Sequence, residues 1–379
     1  ITRTLLTPEQ LNERLKRDFN EEYDEQTLED ELSVLSIFGL IDPEFDLYQF
    51  YLELLSEQVA GFYDPETKEM VVIQGLDFDG VERLTYAHEF THALQDQQYG
   101  LIDGLGIDDQ RCQEDSEYCA AVQALVEGDA SLVEQYWLYA YGSDEDRAQV
   151  FDFYQTLDSP VFDAAPEFIQ EDFAFTYTAG GEFAWSLFEQ DEFAAIDAAF
   201  ADPPRSTEQI IHPQKYPSDR PLMVALPDFE DVLDADLREL DSGVVGEWYT
   251  YLILAKGRDT AFRLAEDDAR DAAEGWGGDA YAVYLDESSG ETILGVKWLW
   301  DSAPDGEEFF SQFASYARLR WGDDFSEGSD GRLIWEDTSD GTVVIQQTGA
   351  AVHWVIAAER ATADRLVDAI SAAQPEGTS

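Results

Sequence analysis

The chain has 379 residues, enough for a substantial core, and its 82 Asp plus Glu against 22 Lys plus Arg give a formal net charge of −60. With 44% hydrophobic and 13% aromatic residues it is not a disordered acidic tail, and most of its carboxylates must face solvent because unpaired buried anions are costly. The same balance excludes a basic nucleic-acid-binding face and disfavours an anionic membrane surface, and no apolar run approaches transmembrane length, so no integral membrane segment is expected.

The front of the chain reads as helical. Thr7 is a helix N-cap followed by Pro8, and two helices are expected, interrupted near residues 20–24 and closed by Gly39. A third helix runs through "DLYQFYLELLSEQVAGFYD" to Gly61. "GFYDPETKEMVVIQG" then places aromatic and β-branched residues on either side of an Asp-Pro turn, a hairpin or edge-strand signal. The next helix carries "TYAHEFTHALQDQQYG", with Leu84, Ala87, Thr91 and Leu94 available to bury it. After an acidic loop whose Cys112 and Cys119 can form a local disulfide, "EYCAAVQALVEGDASLVEQYWLYAYG" reads as a long helix in spite of Gly128. Residues 144–200 are expected to be helical, with breaks near Pro160 and at Gly180–Gly181. Residues 201–221 are rich in Pro and turn residues and predict a rigid loop. Beyond it the pattern changes: helices at 246–255 and 260–274, two strands in "GWGGDAYAVYLDESSGETILGVKWLW", a helix, strands around 332–336, 342–347 and 351–356, and a final helix at 358–369. A hairpin followed by a helix is therefore expected twice. The fold class is α+β: a mostly helical region at 1–240 with a small sheet, and a strand-containing region at 241–379 packed against it as one unit.

Chemistry concentrates in "HEFTH". His88 and His92, one helical turn apart, lie on one face and can hold one metal ion, while Glu89 sits beside them to accept a proton from water. A third ligand is required. Only His212 and His353 remain as histidines, so a carboxylate is the better candidate. Glu127 in "ALVEGDA" interrupts the apolar face of the next long helix, where an unpaired carboxylate is costly, and Asp129 comes next. Gly128 permits close approach of a second helix. In the Pro-rich loop, His212 and Tyr216 are candidate catalytic donors to an oxyanion, and Arg205 a candidate for a substrate carboxylate. The "GFYDP" strand is placed to pair with an extended peptide.

"HEFTHALQDQQYG" followed by "EGDA" resembles the gluzincin type of zinc metallopeptidase, near secreted or lipoprotein-like bacterial and haloarchaeal members, over roughly residues 58–135. The resemblance implies a zincin-like catalytic unit, Zn2+ bound by His88, His92 and Glu127, water activated by Glu89, and a peptide or protein substrate. Position 131 is Ser where the best-known pattern has a second acidic residue, so Asp96 and Asp129 become the candidates to brace the histidines. A non-enzymatic binding or assembly protein with a structural zinc site is the alternative; four protein ligands would mark it, three with an open position would mark catalysis. The chain opens at Ile1 rather than Met, as it would if an upstream segment such as a signal peptide had been trimmed. Together with the charge, which molar salt would screen, this points to an extracellular or cell-envelope location in a high-salt environment.

Overall fold

The computed structural model describes residues 2–58, 61–73, 78–328 and 330–374. Side chains that accept the first free backbone N–H groups mark the helix starts. After β1 (Thr2–Leu6), Thr7 and Gln10 close a reciprocal capping box on α1 (Pro8–Glu22), and Asp24 caps α2 (Glu25–Phe38). Gly39 ends α2 at φ 85°, the left-handed conformation that a residue without Cβ adopts at least cost. α3 (Leu47–Gln58) follows, then the hairpin of β2 (Gly61–Asp64) and β3 (Glu69–Ile73), whose turn Asp64 holds by accepting from the Glu66 and Thr67 N–H groups. β3 also pairs in parallel with β1, giving a three-stranded sheet in the order β1-β3-β2. β1 has no sequence signal of its own: it is short, half polar, and Leu5 is exposed.

Helices then dominate: α4 (Gly80–Tyr99), α5 (Asp109–Glu114), α6 (Ser116–Ala140), α7 (Asp144–Thr156), α8 (Pro160–Asp163) and α9 (Glu167–Ala201). α9 passes unbroken through Gly180–Gly181, against expectation, and its geometry breaks instead at Asp191–Glu192. The glycines serve a crossing with α6. A Cβ on Gly128 would lie 2.1 Å from the Gly180 carbonyl oxygen, and one on Gly180 would lie 2.2 Å from that of Ala124. Backbone contact at this density outweighs the modest helix penalty of glycine.

The Pro-rich stretch contains only the short α10 (Thr207–Ile211), and α11 (Phe229–Leu233) precedes β4 (Arg238–Gly243). After α12 (Gly246–Ala255), the expected helix at 260–274 divides into a single 3-10 turn and α13 (Glu266–Ala273). β5 (Trp276–Asp286) and β6 (Glu291–Trp300) lead to α14 (Ala303–Trp321); β7 (Ser326–Glu327), β8 (Leu333–Thr338), β9 (Gly341–Thr348) and β10 (Ala351–Ala357) lead to α15 (Arg360–Ala372). A hairpin followed by a helix thus occurs twice. These strands form an antiparallel seven-stranded sheet in the order β4-β5-β6-β10-β9-β8-β7.

The fold class is α+β. Alternation along each strand sends Val352, Trp354 and Ile356 of β10 into the main core, while Val355 and Ala357 meet Leu366, Val367 and Ile370 of α15 on the opposite face. The main core runs without interruption from Phe19 of α1 to Ile356 of β10, so the helical and sheet regions share one apolar interior. A division at 240/241 cuts through β4, which belongs to the large sheet; the helical region therefore ends before it.

Candidate metal centre

α4 begins at the Asp79–Glu82 capping box and presents two chemically different faces. His88, His92 and Gln95 lie at i, i+4 and i+7 on the face toward α6. Glu89 and Asp96, also seven apart, lie toward β2. There Tyr63 meets both: its backbone N–H donates to Glu89 Oε2 at 2.8 Å, and its hydroxyl donates to Asp96 Oδ2 at 2.6 Å. Leu84 and Thr91 bury the helix as expected, but Leu94 is 48% exposed and takes no part.

On the α6 side the ligand atoms converge. His88 Nε2 lies 3.0 Å from His92 Nε2 and 3.1 Å from Glu127 Oε2, and His92 Nε2 lies 3.5 Å from that same oxygen. All three atoms fall within 4.8 Å of one another. Burial would push the Glu127 carboxyl up, but the hydrogen bonds and charge of the two imidazoles hold it at about 2. Burial would likewise depress His88, yet Glu127 and Glu134 hold it at about 10; His92 is raised for the same reason, chiefly by Glu127. The cluster therefore demands positive charge.

The other ring nitrogens decide what form that charge takes. His92 Nδ1 lies 2.9 Å from Gln95 Oε1, and Gln95 is oriented because its Nε2 donates to the Val126 carbonyl at 3.0 Å and to Asp129 Oδ2 at 2.8 Å. His88 Nδ1 lies 3.2 Å from Glu134 Oε2. Each Nδ1 thus faces an acceptor and carries the proton, so in neutral imidazoles each Nε2 presents a lone pair. With both rings neutral, two nitrogen lone pairs and the carboxylate oxygen would repel, so the cluster holds either protons on Nε2 or a metal cation between the three atoms. The donor set of two imidazoles and one carboxylate suits zinc.

Several expected residues have other places. Asp96 does not brace a histidine: it accepts from Tyr63, from Lys68 Nζ at 2.9 Å and from the Leu101 N–H, because its position on the helix points it to the β2 side. Asp129 acts only through Gln95. His212 and Tyr216 lie away from the cluster. His212 Nε2 pairs with Glu247 Oε1 at 2.8 Å, and the Tyr216 hydroxyl donates to the Asp202 carbonyl at 2.8 Å. Glu247 neighbours Gly246, whose Cβ position abuts the Glu117 carboxyl, and Glu117 is ten residues from Glu127, about 15 Å along α6. Arg205 stacks over the Tyr118 ring at 5.1 Å.

Three residues go unmarked by sequence reasoning. Gln95 and Glu134 complete the histidines, and helical spacing is their only signal: Gln95 is three after His92, and Glu134 is seven after Glu127. The third is Tyr177 of α9. Its ring centroid is 6.3 Å from that of His88; burial, then the carboxylates of Glu127, Glu89 and Glu134, raise its pKa. Tyr177 is still 40% exposed, so it stands at the mouth of the cluster.

Cys112 and Cys119 form a disulfide between α5 and α6, with Cα atoms 5.4 Å apart. Among the described residues, no helix is long and apolar enough to cross a membrane. A domain family described as a domain of unknown function (DUF8575) matches residues 233–367, the segment of the large sheet and its helices, and stops short of the metal-ligand cluster. No curated protein and no solved structure matches the chain.

Proposed function

We propose that this protein is a zinc-dependent peptidase of the gluzincin type, in which His88, His92 and Glu127 hold the metal and Glu89 is the general base. One observation carries the reading: two Nε2 atoms and a carboxylate oxygen converge beside an oriented carboxylate, and the acceptor behind each Nδ1 leaves Nε2 as the nitrogen free to bind a metal. Among the described residues the cluster offers three protein ligands rather than four, which favours catalysis over a closed structural site. Zinc held there supplies Lewis acidity to water and to the scissile carbonyl.

The chain's own groups do the rest. Glu89 is raised by burial and fixed by the Tyr63 N–H, which suits a carboxylate that takes a proton from attacking water and returns it to the leaving amine. The Tyr177 hydroxyl, at the mouth of the site, can donate to the oxygen on which charge develops as water adds to the carbonyl. β2 is an edge strand, and its position beside α4 suits pairing with an extended peptide backbone. The disulfide and the −60 charge support an extracellular or cell-envelope setting at high salt.

Metal analysis paired with hydrolysis of a broad peptide library in molar salt tests this reading. The parent and Glu89→Gln should both bind close to one equivalent of zinc, with hydrolysis in the parent alone. Full zinc binding without hydrolysis by the parent would favour a structural site.

A further inference from the structure

A cavity of about 1050 Å3 lies between α2, the start of α6, α9 and β4, and Tyr177 forms part of its wall. The same tyrosine ring lies 6.3 Å from that of His88, so Tyr177 stands between the cavity and the His88–His92–Glu127 cluster. Phe38, Phe173 and Phe175 contribute apolar surface. Asp172 also lines it, five residues before Tyr177 on α9 and so about 7.5 Å away along the axis. That is within reach of the side chain of a residue next to a scissile bond.

Besides Glu117, which lines the cavity and is held by Thr207, the lining carboxylates Glu31, Asp172 and Asp241 differ from the solvated acids that cover this protein. Glu31 accepts from the Tyr51 hydroxyl at 2.7 Å, Asp241 from the Tyr281 hydroxyl at 2.6 Å, and Asp172 from Trp248 Nε1 at 2.8 Å and the Tyr249 hydroxyl at 2.7 Å. These donors are neutral, and burial raises all three carboxyls. No Lys, Arg or His lines the cavity among the described residues. Three other carboxylates near or below the surface do have cations: Asp340 has Arg320 at 2.8 Å, Asp146 has Arg83 at 2.7 Å, and Asp30, at the edge of this same cavity, has Arg238 at 2.5 Å. Desolvated anions facing an open space without a counter-charge are matched by a cation brought in from outside.

We propose that this cavity receives a lysine or arginine side chain of the peptide substrate, with Asp172 as the carboxylate that reads its charge. The proposal rests on the peptidase reading above. The aliphatic stem of a basic residue packs on the aromatic wall while its head reaches Asp172, and Glu31 and Asp241 add to the negative potential behind it. General attraction of cations to an acidic surface is a different effect, and salt separates the two: at molar ionic strength the Debye length falls to roughly 3 Å, whereas a contact inside a cavity is screened far less.

The test uses two fluorescein-labelled peptide libraries, randomised at flanking positions, with either Lys or norleucine fixed at one central position. Anisotropy measures binding of each to zinc-loaded Glu89→Gln protein in 2 M and 4 M KCl, and mass spectrometry follows hydrolysis by the parent. The Lys library should bind at least about tenfold more tightly, as a charged hydrogen bond in a desolvated site would give. That advantage should survive the higher salt. In an Asp172→Asn, Glu89→Gln double variant it should shrink severalfold, and in the corresponding Asp241→Asn variant by less, which keeps the site testable if the first does not fold. Equal binding of the two libraries, an advantage abolished by 4 M salt, or an advantage untouched by both substitutions overturns the proposal. Selective binding without hydrolysis of any peptide would sink the peptidase reading alone, and hydrolysis of both libraries at equal rates would sink the proposal alone.

Discussion

Lys215 Nζ lies 2.5 Å from Glu208, 3.5 Å from Asp219 and 3.1 Å from Asp301, whereas among the described residues no Lys or Arg pairs with His88, His92 or Glu127. Both groups bring three ligand-type oxygens or nitrogens within 4.8 Å of one another. In the first, the chain supplies a cation of its own, four residues beyond Ile211, that all three carboxylates face. In the second, both imidazoles turn Nε2 toward a carboxylate while the rear partners Gln95 and Glu134 hold Nδ1, and the positive charge has to come from protons or from a metal. Proximity of ligands is thus a weak criterion for a metal site, and the account of protons and charges around it is the stronger one.

The widest gap between the two groups should appear in metal content and turnover. His88→Ala with His92→Ala should reduce zinc from about one equivalent to background in elemental analysis. Glu89→Gln should keep the metal while peptide hydrolysis falls about 10²- to 10⁴-fold, the usual worth of a general base. Zinc retained by the double alanine variant would erase the contrast, since the ion would then sit elsewhere.

Removing the internal cation should make the first group resemble the second. Lys215→Met keeps an aliphatic stem and leaves three carboxylates facing one another, so chemical denaturation at fixed salt should show a loss of about 3–5 kcal/mol. Burial pushes Glu208 to about 7 even with Lys215 beside it, which shows how little more negative charge this spot tolerates. Millimolar Mg2+ should restore part of the lost stability in the variant and none in the parent. A variant as stable as the parent would show that the ammonium is not what holds this group together.

A pH series sharpens the comparison near the Gly246 turn, where Asp279 accepts from the Val245 N–H at 2.6 Å, the Gly246 N–H at 2.8 Å and Trp276 Nε1 at 2.7 Å. Burial raises its carboxyl to about 6 in spite of those donors. Between the ordinary value near 4 and about 6 the unfolded chain has released this proton and the folded chain retains it, so rising pH weakens folding across that window. The parent should therefore lose roughly 2 kcal/mol relative to Asp279→Asn between about pH 4 and pH 6, with little further change above about pH 7. Denaturation curves in constant salt measure the difference, and a flat difference would mean that Asp279 ionises normally.

The smallest effect concerns the rear partners. Gln95→Leu should lower zinc affinity about 10- to 100-fold in competition with a chelator, because His92 loses the acceptor that fixes its tautomer. Asp96→Asn should leave the affinity unchanged. The reverse ranking would return Asp96 to the role that the family resemblance suggested for it.

Local periodicity made much of the scaffold readable. The Thr7 and Gly39 helix ends, the β2–β3 hairpin, the α12 span and the paired hairpin-helix units of the C-terminal region all follow from capping, turn chemistry and alternation within a few residues. β1 escaped because its strand character comes from docking beside β3, not from its own residues. Gly180 was misjudged because glycine weakens an isolated helix, while here it lets α9 lie against α6.

At the His88–His92–Glu127 cluster, the one-turn spacing of His88 and His92 and the carboxylate on the following long helix were already written in the chain, since a helix places positions i and i+4 on one face whatever surrounds it. Which acceptor sits behind each ring, that Tyr177 comes across from α9, and that the His212 loop docks on Glu247 instead were decided by how α4, α6, α9 and α12 pack. Helical phase is a local property of the backbone. The partner of a side chain across an interface depends on crossing geometry and loop paths that residues distant in sequence set together.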